Sequence, residues 1–243
     1  MKRVWLPILL LASASSASGA GRSLTTVWAV GDSLLSTDVR EVGVGDYVLK
    51  HRLLPSGLAE LVAGVEGLAP GQQLVEIGGG EALVFCDAEI RSKKLVGHAQ
   101  PCLVDADRDG RFEGIFHTTS VTKGLLTIEG KRPKAAKPIA PAAYRRLDPA
   151  AFRQALFVGL EYRGSANLVG NHVFEVNYGS DERTGSLSRR LTRKGSKLDA
   201  PMEFMGGQFS ILGTTANGIR VRLNRSIPPQ PFGVLVTTTY RIY

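Results

Sequence analysis

The sequence predicts an all-β protein with minor helix, a β-sandwich or barrel arranged as two β units. Three observations point to this class. Short runs rich in β-branched and aromatic residues recur along the chain, Gly, Asn, Asp or Pro separates each run from the next, and apolar residues at helical spacing are sparse. Many short strands with frequent turns build sandwiches and barrels rather than doubly wound sheets.

The elements follow in order. Residues 1–20 read as a secretory signal peptide: Lys2 and Arg3 open it, an apolar stretch over 4–12 is interrupted only by Pro7, and small residues over 13–20 offer cleavage after Ala17 or Ala20. The apolar run falls well short of the ~20 residues that span a bilayer. No other segment approaches a span, so the mature chain is expected to be soluble and secreted or periplasmic. Loss of Lys2 and Arg3 takes the net charge from +8 to +6.

Strands are expected at 25–30, 47–53, 74–77, 82–86, 115–119, 125–129, 156–162, 172–178, 208–212, 218–223 and 234–243. The spacing of Leu58, Leu61, Val62 and Val65 predicts a helix over 56–65. A shorter helical piece is expected at 148–154, where Asp148 can cap and Pro149 suits the first helical position. In the last strand Val234, Val236, Thr238, Tyr240 and Ile242 share a half-buried face, while Arg241 argues against a lipid-facing strand of an outer-membrane barrel.

Residues 131–143 carry three prolines and four cations. This composition is expected to give an extended exposed connection between units 21–130 and 144–243, and not a central strand. One long loop inside a single sandwich is the open alternative.

Cys86 and Cys102 form an even pair, which an oxidising compartment turns into a disulfide. Closing that loop is worth roughly 3 kcal/mol in the chain-entropy picture.

Immediately after Cys102 stands Asp105-Ala-Asp107-Arg-Asp109-Gly110-Arg111-Phe-Glu113. Calcium takes six to eight oxygens in flexible geometry, and carboxylates at loop positions 1, 3 and 5 with glycine at 6 can wrap one ion. An EF-hand would place a bidentate glutamate at position 12, where this chain has Phe116, so the EF-hand proper is rejected. The segment resembles the shorter D-x-D-x-D-G-x-x-(D/E) loops set between strands in FG-GAP repeats of β-propellers and related secreted modules. That resemblance covers only these residues and implies a calcium-binding turn, closed by Glu113, without implying a propeller. Asp105, Asp107, Asp109, Arg111 and Glu113 are the candidate metal positions, and Arg108 and Arg111 would weaken affinity if they approached the ion. Four acidic groups this close repel one another unless neutralised. A turn rich in Asp and Gly without metal is the plainer alternative.

Residues 25–34, which include Gly31-Asp32-Ser33-Leu34, resemble block I of the GDSL, or SGNH, hydrolases. The resemblance implies Ser33 as an acyl-transfer nucleophile. Such a serine needs a base and an oxyanion hole. The family takes its base from a D-x-x-H block near the C-terminus, whereas the last histidine here is His172, preceded by Val169, Gly170 and Asn171. The Gly-Asp pair also recurs at Gly45 and Asp46 before Tyr47, which fits a repeated turn feeding a strand.

His51, His98, His117 and His172 stand singly, away from zinc-like spacing, and Gly78-Gly79-Gly80 lacks the lysine of a phosphate loop. Arg189, Arg190, Arg193, Lys194 and Lys197 form a basic run that reads either as a solvated hairpin tip or as an anion-binding surface. Export and the lack of interleaved aromatics argue against nucleic acid as its partner. The expectation is therefore an exported, non-enzymatic, β-rich envelope protein, stabilised by calcium and a disulfide, that binds an anionic envelope component or a protein partner. The alternative is a secreted serine esterase using Ser33.

Overall fold

The structure, a computed structural model, describes residues 23–78, 81–88, 98–120, 125–126, 129–131, 136–166, 170–182, 184–194 and 200–234. The expected signal peptide, Lys197 and most of the expected last strand lie outside these residues. The first strands in chain order are β1 (Ser23–Thr25), β2 (Trp28–Ser33), β3 (Arg40–Gly43), β4 (Tyr47–Pro55), β5 (Leu58–Leu61) and β6 (Gln73–Glu76). They are followed by β7 (Leu83–Asp87), β8 (His98–Asp105), β9 (Arg111–Ser120), β10 (Glu129–Lys131), β11 (Lys137–Leu147) and β12 (Phe157–Ala166). The series ends with β13 (Asn171–Gly179), β14 (Thr184–Arg193), β15 (Met202–Phe204), β16 (Gly207–Thr214), β17 (Gly218–Arg225) and β18 (Pro231–Phe232). The protein is all-β, and a 3₁₀ turn at Pro149–Ala151 supplies the expected short helical piece, capped by the Asp148 side chain accepting from the Ala150 N–H.

Six strands form a closed barrel in the order β11-β5-β6-β7-β8-β9. Side chains alternate across each strand, so one set fills the barrel and the other leaves it. Ala59, Leu61, Leu74, Phe85, Leu103, Phe112 and Ile115 pack together inside. Val75, Val84, Cys86, Cys102 and Val104 point the other way, into the main core around Trp28 and Val30. That core lies between the sheet β14-β13-β12-β4-β2-β18 and the sheet β15-β16-β17-β3. Phe174 of the first meets Phe209 of the second edge to face, with ring centroids 5.5 Å apart.

Four expectations meet a different arrangement. The helix expected over 56–65 is strand β5. Its apolar spacing comes from a strand buried on both faces: Ala59 and Leu61 fill the barrel while Leu58 joins the main core, so strict alternation disappears. Residues 137–143, expected in a loop, belong to β11, which runs between β5 and β9 and closes the ring. The strand tolerates Pro138 and Pro141 because its register on β9 shifts between Pro138 and Ala142, where a missing N–H costs little pairing. Strand pairing also crosses the expected boundary between units 21–130 and 144–243, since β4 pairs with β12 and β3 with β17. Leu125 and Leu126, expected in a strand, are buried outside one, and the Leu126 carbonyl accepts the Trp28 indole N–H at 3.0 Å.

Candidate metal centre

The turn between β8 and β9 sits at one end of the barrel. Asp105 ends β8 on the same side of the strand as Leu103, pointing inward, and is fully buried. Asp107 and Asp109 are exposed on the turn itself. Local hydrogen bonds shape the loop: Asp107 accepts from the Asp109 N–H at 3.2 Å, Asp109 from the Arg111 N–H at 2.8 Å, and Asp105 Oδ2 from the Gly110 N–H at 3.2 Å. Short polar side chains bonding the backbone two residues on are what make Asp a turn residue. Gly110, at φ +88°, takes the left-handed conformation that a side chain would disfavour, and Arg108 takes it at φ +64°.

One oxygen from each of Asp105, Asp107 and Asp109 can be drawn into a group whose members lie within 4.8 Å of one another. This cluster could hold a metal ion. Its chemistry suits a hard cation, because every donor is a carboxylate oxygen. A second feature concerns Asp105 alone. Oδ2 accepts from Gly110 and from the Tyr144 hydroxyl at 2.7 Å, whereas Oδ1 is buried and has no hydrogen-bond partner among the described residues. A buried carboxylate oxygen without a donor is costly unless a cation or an ordered water completes it.

The other expected positions are placed differently. Glu113 directs Oε1 to the Ala106 N–H, bracing the turn from β9, and is not one of the three converging carboxylates. Arg111 contributes its backbone N–H to Asp109, and Arg108 reaches away to the Glu81 carbonyl at 2.9 Å, so its cation is tied to a neighbouring segment. Cys86 and Cys102 form the expected disulfide between directly opposed residues of β7 and β8, three residues before Asp105.

Tyr144 is the member of the site that sequence reasoning missed. It lies on β11, 39 residues from Asp105, and its ring stacks on Phe112 with centroids 4.3 Å apart. Burial and the adjacent Asp105 push its phenol well above the ordinary tyrosine range, which keeps it a hydrogen-bond donor. Nothing in the local pattern of 137–147 announces a partner so distant.

Ser33 is held in its own turn, with Oγ donating to the Leu35 carbonyl at 2.9 Å and accepting from the Leu35 N–H at 3.2 Å. His51 stands opposite it on β4, yet Nδ1 faces the Gly31 carbonyl at 3.1 Å and Nε2 accepts from the Ile227 N–H at 3.3 Å. His172 is buried, with Nδ1 beside the hydroxyls of Tyr162 and Ser165 at 3.1 and 3.3 Å. Of the basic run, Arg189, Arg190 and Arg193 lie on β14, and Lys194 follows it, exposed. Arg193 turns its Nη2 to the carbonyls of Ala200 and Pro201.

Barrel, packed sheets and acidic turn together define an all-β protein with one cluster able to hold a cation among the described residues. No family model matches the sequence, and searches of curated proteins and of solved structures returned no match. No helix of the described residues is long and apolar enough to cross a membrane.

Proposed function

We propose that this chain is an exported, non-enzymatic β protein of the cell envelope whose 105–113 turn binds calcium as a structural ion. The observation that carries the reading is the convergence of Asp105, Asp107 and Asp109, with one buried oxygen of Asp105 lacking a hydrogen-bond donor. Calcium is favoured over magnesium because three protein carboxylates converge and one of them is buried, whereas magnesium demands near-ideal octahedral geometry and keeps several of its waters. Export rests on the character of residues 1–20 and agrees with a disulfide, which persists in oxidising compartments. The basic run at Arg189, Arg190, Arg193, Lys194 and Lys197 is the surface assigned to an anionic envelope partner.

Titration calorimetry of the mature chain with calcium and with magnesium tests the metal assignment. Calcium is expected to bind with a Kd on the order of 0.1 mM, within the range of extracellular modules. Asp107→Asn with Asp109→Asn should abolish the heat, and equal binding by the double variant would contradict the assignment.

A further inference from the structure

We infer that cation binding at the 105–109 turn locks the bulged seam between β9 and β11, with Tyr144 as the positioning residue that carries the effect across the barrel. The inference rests on the metal-binding reading above.

Among the described joins of the ring, this seam is the one whose register shifts. β11 pairs with β9 only at Lys137, Pro138, Ala142 and Ala143, with a register shift between Pro138 and Ala142. Two of its residues, Pro138 and Pro141, have no N–H to donate. The ladder is therefore interrupted between Pro138 and Ala142, and Tyr144, just beyond Ala143, adds contacts that tie β11 to the β9 side.

What holds it converges on one stretch of chain. Tyr144 donates its hydroxyl to Asp105 Oδ2 at 2.7 Å and its N–H to the Gly110 carbonyl at 3.3 Å, and its ring stacks on Phe112. All three contacts lie on residues 105–112, the metal turn and its exit into β9. An ion drawing together Asp105, Asp107 and Asp109 fixes the partners of Tyr144, and it also fixes Asp105 in the orientation that accepts the phenol. Without the ion, three carboxylates repel one another across the turn and the acceptor positions loosen. Partners that orient a metal ligand are commonly worth 10–100-fold in affinity, so the coupling should be readable in both directions.

Hydrogen exchange of the intact oxidised chain, read by mass spectrometry with calcium and with chelator, tests this directly, alongside calorimetry and the variant Tyr144→Phe. The ring of Phe keeps the stacking on Phe112 and removes only the hydroxyl. With calcium at ten times its Kd, exchange in 142–147 should slow about tenfold in the wild type. Tyr144→Phe should still bind calcium, more weakly, while the slowing in 142–147 falls to within about twofold. Calcium heat without slowing in 142–147, or full slowing retained in Tyr144→Phe, overturns the inference and leaves the metal site standing. Absence of calcium heat in the wild type removes the metal site and the inference together. Should Tyr144→Phe fail to fold, the wild-type comparison decides: slowing confined to 105–113 overturns the coupling, and slowing that reaches 142–147 supports it.

Discussion

Asp105 and Asp107 carry the same side chain in the same turn, yet burial gives them different consequences. Asp105 is buried and accepts from Tyr144 and Gly110, so Asp105→Ala leaves two donors unpaired. Denaturant unfolding in chelator should show a loss of about 1–3 kcal/mol for that variant. Asp107 is exposed and accepts from the Asp109 N–H, so Asp107→Asn should leave stability in chelator nearly unchanged and remove only the calcium-dependent increment. His172 supplies a pH dependence. Burial lowers its pKa below the ordinary 6.5, and the groups facing it are the Tyr162 and Ser165 hydroxyls, with Arg193 opposite on β14. The unfolded chain therefore takes up the proton more readily than the folded one. This contribution is fully present above about pH 6.5 and is lost as pH falls through that value toward the folded pKa. Unfolding in chelator from about pH 7 to pH 5 should show this loss, and His172→Gln should flatten it. The alternating aspartates were legible in the sequence because an Asx turn is built from residues two apart; Tyr144 was not, because its link to Asp105 is tertiary.

The strands and their joins are where local pattern and tertiary context part. β13 reads directly from alternation, with Phe174, Val176 and Tyr178 in the main core and the polar Glu175 and Asn177 on the opposite face, because the apolar core packs on one face alone. β5 misleads because both faces are buried, and β11 misleads because its prolines coincide with a register shift that sequence does not display. The disulfide between β7 and β8 spans a sequence separation of 16 and lies in the main core. Reduction should therefore cost about 3 kcal/mol, measured as the shift in denaturant midpoint with and without reductant. Gly159 on β12 shows how closely the central sheet is packed: a Cβ there would meet Tyr47 Cδ1 at 2.7 Å and the Leu49 carbonyl at 2.8 Å. Since the Tyr47 ring and the β4 backbone must shift to admit it, Gly159→Ala should destabilise by about 1–3 kcal/mol in equilibrium unfolding.

In the whole molecule, the barrel and the two sheets share a core through Val75, Val84, Cys86, Cys102 and Val104. The acidic turn at the end of β8 is therefore mounted on strands that belong to both packing regions, so an ion held there would stabilise the native fold by mass action. The all-β class was legible from turn spacing. The interleaving of β2, β3 and β4 with β12 and β17 was not, because strand order depends on pairings far apart in sequence. The most direct test of the central claim is unfolding of the oxidised, mature chain in about 1 mM calcium against chelator. A site with a Kd on the order of 0.1 mM predicts about 1.4 kcal/mol of added stability with calcium, absent in Asp107→Asn. An unfolding midpoint that is the same in calcium and in chelator would contradict it.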